Sequence, residues 1–226
     1  MTVELDVMND EQRTALRKSL RGDSAEPVIP FAQPGSLTRV YAVASGKGGV
    51  GKSSVTVNLA AALAEEGLRV GVVDADIYGF SVPRMLGVTQ QPTQVDDMIL
   101  PPVAEPAGVK VISIGMFVPG NQPVVWRGPM LHSALQQFFR EVRWGALDYL
   151  IVDMPPGTGD IALSLSQYLP RAEVLVVTTP QPAAQKVARL SAAMAEKVHL
   201  PVRAVIENMS WFTGDDGKRY ELFGSG

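Results

Sequence analysis

A chain of 226 residues with 46% hydrophobic content is long enough to bury one full α/β core. Its formal net charge of −3 offers no global basic field, so no nucleic-acid partner is expected. It holds no cysteine, which excludes disulfides and any thiolate ligation of a metal or cluster by these residues.

Residues 1–34 read differently from the rest. Val3, Leu5 and Val7 alternate as one face of a strand, which needs a partner strand to be stable. Asn9-Asp10-Glu11-Gln12 then supplies a cap and an acidic first turn for a helix to about Leu20, and Gly22 stops it. Pro27, Pro30 and Pro34 mark an extended linker. Met1 to Asp6 show no basic segment leading into an apolar core, and no apolar run approaches the ~20 residues that span a bilayer. A cytoplasmic protein without a membrane partner is therefore expected.

From Val40 onward, apolar β-rich runs alternate with helical periods. Strands are predicted at Val40–Ala44, Val70–Asp74, Val109–Ile114, Tyr149–Asp153, Val174–Thr178 and Val202–Glu207. Helices are predicted over Lys52–Glu65, Met130–Arg143, Asp160–Tyr168 and Pro182–Val198. Continuous Val/Ile/Leu runs point to strands buried on both faces. The expected fold is a doubly wound, mostly parallel α/β sheet with helices on both sides, occupying residues 35–226. The Pro- and Gln-rich stretch Ile77 to Gly108 shows little periodicity and is expected to be a long mobile excursion. Asp216-Gly217 is a turn signal for a short hairpin near the end of the chain.

The chemistry starts where the first strand ends. Gly46-Lys47-Gly48-Gly49-Val50-Gly51-Lys52-Ser53 satisfies G-x-x-x-x-G-K-[ST] with a strand before it and a helix after it. Glycines let successive N–H groups curl around phosphates, and the helix N-terminus adds positive potential. Lys52 is placed to reach the β- and γ-phosphates of ATP and Ser53 to ligate Mg²⁺, with Ser54 beside them in nucleotide contact. Ligands of such sheets bind at the carboxyl ends of the strands, where Ser45, Asp74, Asp76 and Asp153 all lie. A carboxylate ending an apolar strand, as Asp153 does, is costly unless it faces a cation. Asp74 and Asp76 form a D-x-D whose carboxylates can divide metal and water duties, although Asp is also a common turn residue. His132 and His199 show no metal-ligand spacing and read as structural.

These residues carry a resemblance. A second loop lysine, Lys47, marks the deviant P-loop group of MinD, ParA and the nitrogenase iron protein, in which that lysine reaches the partner subunit's phosphates. Ser45 to Asn58, Asp74 to Pro83, Trp126 to Met130, Asp153 to Asp160 and Glu207 to Ser210 together resemble the Mrp (ApbC) family of iron–sulfur cluster carrier ATPases. The resemblance implies slow ATP hydrolysis by a homodimer that delivers clusters to apoprotein acceptors. It implies Lys47, Lys52 and Asp76 as catalytic groups, with Asp76 positioning water. Asp153 is implied in the Mg²⁺ shell through a water, Asn208 at the adenine edge, and the amides of Gly157 and Thr158 as sensors of the γ-phosphate. Arg127, in Trp126–Met130, is placed to touch phosphate or the partner subunit.

Family members also suggest that residues 1–34 are the remnant of a small accessory domain plus linker, and that the ATPase domain is cut at its C-terminus. They commonly place C-x-x-C shortly after the Asn-Met-Ser element, whereas here Trp211 to Gly217 carry a Gly-Asp-Asp-Gly turn. Carboxylates are hard ligands and poor substitutes for cluster thiolates. Either cluster ligands lie elsewhere, or the ATPase does not carry a cluster in this way. The alternative function is a MinD- or ParA-like nucleotide-switched positioning ATPase.

Overall fold

The computed structural model describes residues 28–77, 79–95, 98–118, 128–157 and 160–225. The strand and helix expected before Pro27, together with Trp126, Arg127 and Thr158, lie outside them.

The architecture is the expected one. β1 (Arg39–Ser45), β2 (Val70–Asp74), β6 (Val109–Ser113), β7 (Tyr149–Asp153), β8 (Glu173–Thr178) and β9 (Val202–Glu207) pair in parallel, and β5 (Val103–Ala104) adds an antiparallel edge. The order is β5-β6-β2-β7-β1-β8-β9. Two apolar layers fill the two faces of this sheet, one including Val152, Phe139 and Leu165, the other Val43, Val72 and Val177. β1, β2 and β7 are almost wholly buried, as their unbroken apolar runs require.

Two helices shape the nucleotide end. α1 (Lys52–Glu65) follows β1 and buries Thr56, Val57 and Ala60, small residues that let it lie close to the sheet. Ala184, Ala188, Ser191 and Ala195 form a similar narrow stripe on α5, whose range is Pro182–Lys197. The linker is packed from Ile29 on: Ile29 and Phe31 sit in the core beside helix residues such as Leu135.

The expected mobile excursion after Ile77 holds regular structure. It contains a short helix α2 (Val82–Met85), a hairpin of β3 (Thr93–Val95) with β4 (Met98–Leu100), and β5. These pieces are too short for a periodic signal, and contacts elsewhere in the chain fix them. Ile99 donates its N–H to Glu141 O at 2.9 Å and accepts from Arg143 N at 2.8 Å. Those two bonds also explain why α3 spans Gly128–Arg140 and stops short of the expected Arg143. Likewise β6 ends at Ser113 because its hydroxyl accepts from Gly115 N and starts a 3₁₀ turn. α4 spans Asp160–Tyr168, and β10 (Phe212–Thr213) with β11 (Arg219–Tyr220) makes the hairpin signalled by Asp216-Gly217.

Candidate functional site

Parallel register lines up the strand ends. Asp74 on β2 and Val43 on β1 are both partners of Asp153 on β7, so the β1 loop, the D-x-D and the Asp153 carboxylate share one edge of the sheet. Gly51 at the loop's end has φ 83°, and a Cβ there would meet Asn208 Nδ2 at 2.2 Å. Gly46 is pressed onto α5, where a Cβ would stand 2.3 Å from the Val187 carbonyl carbon. Side chains are excluded at both points, so the loop is clamped between α5 and the end of β9. A cleft of about 220 Å³ remains in front of it, lined by Lys47, Gly48, Gly49, Ser53, Ser54 and Asp76 among others.

Lys52 organises the floor of this cleft. Its Nζ donates to Asp153 Oδ2 at 2.7 Å and lies 3.6 Å from Asp76 Oδ2. Ser53 Oγ donates to the same Asp153 oxygen at 2.6 Å, and Thr56 Oγ1 donates to Asp153 Oδ1 at 2.7 Å. A fully buried carboxylate is thus paired with a cation and two hydroxyls, the condition under which such burial is tolerated. The sequence reading missed Thr56. An i, i+4 spacing from Lys52 on a helix facing the sheet was the available signal.

Hydroxyl and carboxylate oxygens at the mouth of the cleft suit a hard, oxygen-seeking cation such as Mg²⁺. Ser53, with Asp153 behind it, has that donor set. Asp76 is buried at the cleft wall and accepts from Gly79 N at 3.2 Å. Asp74 is fully buried behind it, accepting from Asp76 N, Val82 N and Ser113 Oγ at 3.2, 3.3 and 3.2 Å. Burial, and then the neighbouring Asp153 charge, push the Asp74 carboxyl up to about 7.

Other expected residues make hydrogen bonds within the chain. Lys47 would have no intramolecular task if it served only a partner, yet its Nζ donates to Gln181 Oε1 at 3.0 Å, at the start of α5. Asn208 turns its Nδ2 onto Val50 O at 2.9 Å while its N–H bonds Thr178 O, so it straps the loop to β8. The Gly157 N–H is taken by Ser45 O at 2.9 Å and in this conformation does not face the cleft as a free donor. His132 is not isolated: Nδ1 shares a hydrogen bond with Ser164 Oγ at 2.9 Å, and Nε2 one with the Tyr168 hydroxyl. This cluster ties α3 to α4 and remains structural. Among the described residues, no group of three or more His, Cys, Asp or Glu is arranged to hold a metal ion, and no helix is long and apolar enough to cross a membrane.

Comparison with known proteins points to the same fold class. The family model described as ParA: NUBPL iron-transfer P-loop NTPase matches residues 36–226. An iron-sulfur cluster carrier protein from Mycobacterium tuberculosis is 64% identical over 224 residues, covering 99% of this chain and 58% of the relative. One from Bacillus subtilis is 53% identical, covering 82% of this chain and 52% of the relative. The chain thus spans little more than half the length of these curated relatives. Among solved structures, a nucleotide-binding protein from Archaeoglobus fulgidus in complex with ADP is 36% identical, with TM-score 0.70, over 83% of this chain and 74% of that one. MinD from Pyrococcus horikoshii, complexed with Mg-ADP, shares the fold at TM-score 0.56 and 23% identity, over 76% of this chain and 70% of that one.

Proposed function

The chain belongs to the NUBPL iron-transfer P-loop NTPase family, and on that premise we propose that residues 35–226 are the ATP-hydrolysing domain of an iron–sulfur cluster carrier that delivers clusters to apoproteins. The observation that carries the reading is Lys52 held between Asp153 and Asp76, 2.7 and 3.6 Å away, on the floor of a glycine-lined cleft. Lys52 and the loop amides clamp the β- and γ-phosphates. Mg²⁺, bound at Ser53 and through water at Asp153, would neutralise charge on the β,γ-oxygens. Asp76 orients the attacking water from the cleft wall, its carboxylate held by the Gly79 amide. Asn208, which straps the loop, would read the adenine edge.

The cluster is cargo in this scheme, and these 226 residues supply no thiolate for it. The role assigned to this chain is the nucleotide-driven half of delivery. The residues before Ile29, which is itself in the core, are read as an accessory arm, and the working unit as a homodimer in which Lys47 leaves Gln181 for the partner's phosphates. A positioning ATPase would share this cleft, but the likeness to MinD carries the fold alone. Two measurements test the proposal. Steady-state ATP hydrolysis should be present in the wild type, and Asp76→Ala should bind Mg-ATP yet accumulate in the ATP state. Light scattering with a non-hydrolysable ATP analogue should show a dimer that Lys47→Ala weakens. A monomeric chain with full activity, or wild-type turnover in Asp76→Ala, would overturn the respective assignment.

A further inference from the structure

Asp74 and Asp153 end neighbouring strands in register and are both fully buried, yet their surroundings differ. Asp153 faces the Lys52 ammonium. Asp74 accepts from three neutral donors: the amide of Asp76, the amide of Val82 and the Ser113 hydroxyl. A buried carboxylate with neutral donors is a costly choice where a smaller polar or apolar side chain would fill the space. Its partners show what that choice achieves. Asp76 N lies at the start of the segment leaving β2, and Val82 N lies at its end, where α2 begins. One side chain therefore staples both ends of the loop that carries Asp76 and Ser81 into the cleft wall, and anchors them to β6 through Ser113. In its ionised form Asp74 accepts at both oxygens, whereas an Asn amide would turn an N–H₂ toward one set of donors.

We propose that Asp74 is a positioning residue for ATP hydrolysis, holding the backbone at Asp76 and at Val82 so that Asp76 keeps its place beside Lys52. The inference rests on the reading of Asp76 as the group that orients water. Asp74 touches neither phosphate nor water in this scheme and acts through Asp76. A misplacement of about 1 Å in such a group costs up to ~100-fold in rate, so loosening the loop should slow turnover while the phosphate clamp stays intact.

The test uses the full chain. Asp74→Asn, assayed well below its Tm, should lower kcat at least about tenfold and leave Mg-ATP affinity within about threefold. A purely scaffolding role would instead lower affinity in step with kcat, and that outcome would overturn the proposal. In an Asp76→Ala background, followed by single-turnover hydrolysis, Asp74→Asn should add no further slowing, since residues acting as a unit are non-additive. An additive loss would show that Asp74 acts independently of Asp76. Ser113→Ala removes one donor to Asp74, together with the acceptor of the Gly115 amide, and keeps the question decidable if Asp74→Asn fails to fold. It should cost about two- to fivefold in kcat, and no change would overturn the proposal. Wild-type kcat in Asp74→Asn beside a slow Asp76→Ala sinks this inference alone; wild-type kcat in Asp76→Ala sinks the reading beneath it.

Discussion

The middle of the sheet and its β9 end are built on opposite terms. Around β1, β2 and β7, apolar side chains are buried on both faces, and the carboxylates Asp74 and Asp153 are buried with them, every oxygen of the pair given a donor. At the other end, β9 is largely exposed, with Val205 at 62%, and the hairpin beyond it presents Trp211 and Phe212 at 53% and 57%. Yet Asn208, the residue after β9, still reaches the loop at Val50 O and β8 at Thr178 O. The difference teaches that polar groups at the middle of the sheet are buried only where each has a hydrogen-bond partner.

That contrast can be broken by substitution. The largest effect is expected in the core: Phe139→Ala, at a fully buried ring, should cost about 3–5 kcal/mol in chemical denaturation. If it costs no more than a surface change, the middle of the sheet is not the packed unit described. Next in size is Lys52→Ala, which removes a charge-assisted phosphate contact typically worth ~1.5–3 kcal/mol, so Mg-ATP affinity by calorimetry should fall at least about tenfold. Unchanged affinity would remove the cleft from consideration. Loss of the Asp153 partner should also lower Tm in this variant, because a buried charge is left unpaired.

Asn208→Ala sharpens the comparison from the β9 side. One neutral hydrogen bond is lost, ~0.5–1.5 kcal/mol, so nucleotide affinity should fall by a few-fold with Tm little changed. Phe212→Ala, on the exposed hairpin, should leave stability within about 0.5 kcal/mol, and a larger loss would mean that the hairpin is packed. The smallest effect belongs to the exposed Arg69–Asp148 fork, with contacts of 3.0 and 2.8 Å. Hydrogen bonds from Arg69 hold the Asp148 carboxyl down at about 2, below its ordinary value of 3.8. Its contribution is therefore present above about pH 4 and lost as pH falls toward 2. Arg69→Ala should flatten that acid limb of a Tm-against-pH curve and change Tm by only a degree or two at neutral pH.

Much of the site was legible before any coordinates. Asp76 and Asp153 lie where their strand-end positions put them, because parallel strands place their carboxyl ends on one edge, and Lys52 and Ser53 open the helix that follows β1. Thr56 was overlooked because a threonine inside an Ala-rich helix looks like filler until β7 brings Asp153 against it. Gln181 and Ser113 were invisible for the same reason, being 134 and 39 residues from the groups they bond.

By itself the sequence determined the element types, the parallel sheet and the phosphate-binding loop. Apolar periodicity, glycine placement and a short motif are local properties, and the physics behind them acts within a few residues. Tertiary structure decided the rest. It gave order to the stretch after Ile77, stopped α3 at Arg140 by pairing the following residues with Ile99, parked Lys47 on Gln181, and turned Asn208 onto the loop. Each of these depends on a hydrogen-bond partner far along the chain, and no window of sequence can show which buried donor will find which acceptor until the sheet has assembled.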